Sequence, residues 1–171
     1  MKKIKRIYIF FLSFIFIFFL GKPALSEPEY IPPDLKDKIF KCVKNKDYHC
    51  GINYLNDEIR NSPQCPECYL WLGILNCYLG NHQESIVFLE RAVEQSYLMG
   101  EDGGSIRSMA WFAIGMVYNK INQCKKAEET LGKSIDHFKN QEDFEELFFA
   151  ESLLEMVRQH NNDIEATKKA E

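Results

Sequence analysis

One block of this sequence repeats another 42 residues on: Tyr69, Leu72, Gly73, Gly80, Ile86, Leu89 and Ala92 stand at the spacing of Trp111, Ile114, Gly115, Asn122, Glu128, Leu131 and Ser134. A chain that repeats a short unit stacks its copies, because one unit cannot bury its apolar face alone. The spacing of the apolar residues says what the unit is made of. Beyond Pro33 they recur at three and four, and no segment sustains the alternation of a half-buried strand. The unit is therefore built of helices. Gly73 or Gly115 on the first helix faces Ser85 or Ala127 on the second, so the pair crosses closely while larger residues fill the gap between units.

These residues resemble the tetratricopeptide repeat (TPR), whose pattern is Trp or Tyr, then Leu-Gly, Tyr, a turn Gly, Ala and a closing Pro. Trp111, Ile114, Gly115, Tyr118 and Ala127 follow it in one block. Leu72, Gly73, Gly80 and Ala92 follow it in the block before, with Ser85 in place of Ala and Asn76 in place of Tyr. A step back of 34 residues brings Lys46, Asp47, Tyr48, Gly51, Leu55 and Pro63 into register. A step forward of 39 brings Ala150, Leu153, Leu154, Val157 and Ala166, read as a final helix and a short frayed one.

The resemblance implies an all-α, right-handed helical-hairpin solenoid of about three TPR-like units plus a C-terminal capping helix. The units fall near 32–65, 66–99 and 108–141, with a partial unit or cap at 147–171. Two insertions break the period, and the larger, Met99–Ser105, is glycine-rich and acidic. It reads as a longer connection between helices, since its two carboxylates lack the regular spacing of a calcium loop. Glu151, Glu155, Arg158 and Gln159 share one side of the last helix, as suits the exposed end of a stack.

Ahead of the repeats, Lys2, Lys3, Lys5 and Arg6 precede a run from Ile7 to Leu20 that is apolar except at Ser13, and Gly21 and Pro23 follow it. This is the layout of a cleavable signal peptide. A helix of that run would span about 21 Å, short of a hydrocarbon core of about 30 Å. Ala24, Leu25 and Ser26 supply the small-residue site, which puts the cut before Glu27 and divides the chain into 1–26 and 27–171. The first cysteine is Cys42, so the cut bears no lipidated cysteine. The expected location is exported, either periplasmic or extracellular, with membrane attachment only through an uncleaved leader.

Loss of the leader removes five positive charges and no acid, taking the formal net charge from −4 to −9. An acidic chain without a basic stripe is a poor ligand for nucleic acid. All six cysteines survive the cut, and an even number in an exported chain favours disulfides. Cys42 with Cys50, across one hairpin, is the first pair; Cys77 with Cys124 and Cys65 with Cys68 are the remaining candidates. Cys65-Pro66-Glu67-Cys68 is also the sharpest catalytic candidate, because a helix N-terminus lowers a thiol pKa. Redox enzymes, however, set such a motif between a strand and a helix, and no strand is readable here. His49, Cys50, Cys65 and Cys68 have zinc-ligand chemistry, but a helix separates Cys50 from Cys65 by about 20 Å, too far for one ion.

The TPR resemblance also places ligand contacts on the first helix of each unit. Carried over residue by residue, these are Phe40, Val43 and Lys44; Leu70, Ile74 and Tyr78, with Cys77 beside them; and Phe112, Met116, Asn119 and Lys120. An apolar, aromatic groove edged with lysines suits a peptide with hydrophobic anchors. The carboxylate clamp of chaperone-binding repeats is not matched: Lys36 fits one clamp position, but Phe40 and Ile74 replace the asparagines. The reading is thus an exported scaffold or adaptor without a cofactor, metal or catalytic constellation, binding a protein or peptide partner in envelope assembly or maturation of exported proteins. The alternative is thiol-disulfide exchange at Cys65 and Cys68.

Overall fold

The computed structural model describes residues 31–141 and 143–170. The expected signal peptide and its cut lie outside the described residues. Within them the chain forms α1 (Pro33–Lys44), α2 (Tyr48–Asn61), α3 (Pro66–Leu79), α4 (His82–Leu98), α5 (Gly104–Lys120), α6 (Cys124–Asn140) and α7 (Phe144–Ala170). The first six pair as hairpins and α7 covers one end of the stack.

The turns inside the hairpins show what the repeat encodes. After α1, α3 and α5 the backbone turns left-handed at Lys46 (φ 59°), Gly80 (φ 85°) and Asn122 (φ 59°). The next amide then donates to the carbonyl five residues back: Asp47 to Cys42, Asn81 to Asn76 and Gln123 to Tyr118, each at 2.9 Å. This closure satisfies carbonyls that a helix end leaves without partners. The three turns occupy equivalent positions of the repeat, so what recurs in the sequence is a recurring reversal of the chain.

Packing within a hairpin depends on small residues. Leu89 of α4 lies over Gly73 of α3, and the Ser85 hydroxyl donates to the Gly73 carbonyl at 2.7 Å. Leu131 of α6 lies over Gly115 of α5, and the Ser134 hydroxyl donates to the Ser108 carbonyl at 3.1 Å. The first hairpin buries less, only Leu35, Ile39 and Cys42 from α1 with Gly51 and Leu55 from α2. A disulfide between Cys42 and Cys50 joins its two helices, with Cα atoms 5.7 Å apart.

The units stack in two layers. α5 touches both α3 and α7, whereas α2, α4 and α6 do not touch one another. The first helices therefore converge on an inner layer and the second helices splay outside it. α1 joins the inner layer through side chains: the Phe40 ring meets Trp71 edge-on, centroids 5.5 Å apart, and Lys36 reaches Glu67 at 3.1 Å.

Two sequence expectations change. The residues inserted between the second and third units go largely into helix: α4 and α5 have 17 residues each against 14 in α3, so α5 starts at Gly104 and Met99–Gly103 is a short turn. Arg107 closes that turn, donating to the Ser96 and Gly100 carbonyls at 3.0 and 3.2 Å. The final segment is one continuous helix of 27 residues rather than a helix and a frayed piece. Its second half is held to the α5–α6 turn by His160 against Asn122 (3.2 Å) and to α6 by Asn161 against Glu128 (3.4 Å).

Candidate functional site

The inner face of α1, α3 and α5 is the candidate site, and burial divides its predicted residues into two sets. Phe40, Val43, Tyr78 and Asn119 are half-buried, while Lys44 and Lys120 are exposed. Leu70, Ile74, Phe112 and Met116 are buried. These four were expected as ligand anchors, but α3 and α5 are covered by neighbours on so many sides that this stripe falls between helices. Ile74 and Met116, together with Cys77 and Leu89, line a void of only about 10 Å³.

The surface set is organised by Tyr78. Its ring stacks on Tyr48 at the start of α2, with centroids 4.9 Å apart and planes 15° from parallel. Burial pushes the Tyr78 phenol well above its ordinary range, and Tyr48 and Cys77 add to the shift. Beside it the Lys120 ammonium donates to the Cys77 carbonyl at 3.1 Å, in the last turn of α3. A cation there complements the carbonyl end of the helix, so Lys120 ties α5 to α3 as well as adding charge to the face. His82 begins α4 nearby; burial lowers its pKa, Lys120 lowers it further, and its Nδ1 is buried without a hydrogen-bond partner.

At the other edge, Lys36 is engaged by Glu67. The Glu67 carboxylate also accepts the Ile31 amide at 3.3 Å, so Glu67, buried within the Cys65–Cys68 loop, fastens the entry of the chain to α3. Sequence reasoning missed this role, because its main-chain partner is 36 residues away. Lys36 serves that contact rather than a ligand carboxylate.

Four of the six cysteines are bonded. Cys65 and Cys68 form a second disulfide, Cα atoms 5.2 Å apart, at the first turn of α3, where the Cys65 sulfur accepts the Cys68 amide at 3.2 Å. Both are buried, at 1% and 0% exposure, which leaves no sulfur open to an incoming thiolate. The expected pairing of Cys77 with Cys124 is corrected: both are buried free thiols. Cys77 lies on α3 and Cys124 opens α6, two helices that do not touch because α5 stands between them. Burial raises both thiol pKa values.

No family model matches the sequence, and no curated protein matches it. Solved structures do. The chain is similar to the TPR2B domain of yeast Sti1 in its pHsp70 complex, over 74% of this chain and 95% of that one, with a TM-score of 0.65 and 13% identity. The fold is the tetratricopeptide repeat. A second TPR neighbour is the N-terminal domain of stress-induced protein-1 (STI-1) of C. elegans, covering 69% and 92% of the two chains at a TM-score of 0.56 and 20% identity. A third is the Yersinia enterocolitica type III secretion translocator chaperone SycD, covering 84% and 98% at a TM-score of 0.54 and 14% identity. The chain therefore shares the stacked-hairpin architecture of these structures, with its own side chains on the inner face.

Proposed function

We propose that this protein is an exported TPR adaptor that holds an extended or helical peptide segment of a protein partner against its inner face. The observation that carries the reading is the half-buried rim of Phe40, Val43, Tyr78 and Asn119 with the exposed Lys44 and Lys120, set over a core that contains Leu70, Ile74, Phe112 and Met116. Apolar and aromatic side chains provide anchors there, and the lysines favour an acidic segment. Neighbours of the same fold include a domain in complex with pHsp70 and a translocator chaperone, which supports a protein ligand here. The leader pattern and the two disulfides support export to an oxidising compartment, where envelope assembly or maturation of exported proteins offers such partners. The buried Cys65–Cys68 bridge favours a structural role for the CxxC over thiol exchange.

Placement of a photo-crosslinking residue at Val43 or Asn119, and at Val87 on the outer layer as a control, tests the reading in the native envelope. The inner positions should trap one discrete partner that Val87 does not. Equal adducts from all three positions would remove the inner face as the site.

A further inference from the structure

α7 exposes two phenylalanines one turn apart, Phe144 at 73% and Phe148 at 66%. The helix packs onto the stack through Glu146, Ala150, Leu153 and Val157, so both rings point away from the protein. The spacing on this outward side is informative. In α3 an aromatic residue precedes the small crossing residue by four, Tyr69 and Gly73, and in α5 the pair is Trp111 and Gly115. In both, a leucine of the following helix sits over the glycine. A step of 37 residues from α5 puts Phe148 at the position of Trp111 and Ser152 at that of Gly115, and both fall on the uncovered side. The Ser152 hydroxyl bonds back to the Phe148 carbonyl at 2.7 Å, leaving a small residue at that crossing point. By this register α7 is the first helix of a fourth unit and its second-helix seat is open among the described residues.

We propose that this seat binds an amphipathic, basic helix of a partner protein. The apolar strip of Phe144 and Phe148 asks for leucine-like side chains, one of them over Ser152 as Leu89 and Leu131 lie over Gly73 and Gly115. The margins choose the charge. Glu145, Glu151 and Glu155 are exposed along the strip; Lys139 lies 3.5 Å from Glu151, and Arg158, on the same side, is turned to Glu128 of α6 at 3.9 Å. A second copy pairing through the same face by a twofold axis brings these glutamates against their own equivalents, which like-charge repulsion opposes. Lysines or arginines flanking the apolar stripe meet them favourably. The seat lies on the end of the stack, apart from the inner face, so it can be filled whether or not the adaptor reading holds.

The test uses the protein as purified after export and a synthetic helical peptide with leucines at three and four spacing and lysines beside them, titrated by fluorescence anisotropy. Saturable binding is expected, weakened about tenfold by Phe148→Ser and by Phe144→Ser, and weakened also by Ser152→Leu, which fills the seat. Tyr78→Ala should leave this binding unchanged. Because both phenylalanines are exposed, their variants should melt as the parent does, which keeps loss of binding separable from loss of fold. Absence of binding overturns the proposal. So does equal binding of a peptide with glutamates in place of the lysines, or binding indifferent to the phenylalanine changes. A parent that sediments as a dimer and is made monomeric by Phe148→Ser would give the seat to a second copy instead.

Discussion

Gly115 and Leu131 occupy one another's space at the crossing of α5 and α6: a methyl group built on Gly115 would stand 2.6 Å from the Leu131 Cγ. Gly73 and Leu89 repeat the relationship one unit earlier. The glycine is needed there for its lack of a side chain, since both positions are helical and need no left-handed backbone.

Gly115→Ala should therefore destabilise the protein in spite of alanine's better helix propensity, by about 1–3 kcal/mol as the helices are pushed apart. Gly132 of α6 is the control. It is also helical, but an added methyl meets nothing within 4 Å. Gly132→Ala should stabilise by about 0.5–1 kcal/mol. Opposite shifts in chemical unfolding midpoint would verify the crossing; equal shifts would show that Gly115 is not a contact point.

These glycines were legible in the sequence because they recur. The left-handed turns at Lys46, Gly80 and Asn122 were legible as equivalent positions, although only Gly80 has a residue type that advertises its conformation. What the sequence hid was the difference between the inner surface and the core. Ile74 and Tyr78 are one turn apart on α3, yet the first is sealed between helices and the second is at the rim. Helical periodicity assigns them to one stripe, and the width of that stripe left open depends on how closely α5 approaches. The last helix misled for a different reason: the sequence reads there as a helix and a short frayed one, and only the structure shows an unbroken run from Phe144 to Ala170.

Non-reducing peptide mapping should find Cys42 joined to Cys50 and Cys65 to Cys68, with Cys77 and Cys124 as thiols that alkylate only after unfolding. The first link should matter for stability because its hairpin buries so little. Closing a loop of 8 residues constrains the unfolded chain by about 2.5 kcal/mol in the chain-entropy account. Replacement of both Cys42 and Cys50 by Ala should lower the midpoint accordingly, with amide exchange rising first in α1 and α2. A Cys77–Cys124 peptide in the map would contradict the arrangement.

His82 predicts a pH dependence. Burial and Lys120 both hold its folded pKa below the ordinary value near 6.5. Between the lowered folded value and the unfolded one, the unfolded chain binds the proton more readily, so stability rises with pH across that window and falls as pH drops below about 6.5. His82→Gln should reduce the slope of that part of the profile, measured as unfolding midpoint against pH, and His137, whose pKa burial also lowers, should keep the remainder. An unchanged slope would mean that the ring carries no such penalty.

Phe112 and Tyr78 separate folding from recognition. Phe112 is buried, and Phe112→Ala should open a cavity worth about 3–5 kcal/mol of stability. Tyr78 is half-buried, so Tyr78→Ala should cost less of fold, about 1–2 kcal/mol, of which the stack on Tyr48 supplies about 1. Against the partner trapped through the inner face the order should reverse. An aromatic anchor buried against a partner typically contributes about 2 kcal/mol or more to binding, a factor of roughly 30 in affinity, while Phe112, already buried in the free protein, should change affinity only through the fold. Affinity measured well below the melting temperature of each variant distinguishes the two. If Phe112→Ala weakens binding more than Tyr78→Ala while both remain folded, the partner must reach between α3 and α5, and the inner face opens further than its closed packing shows.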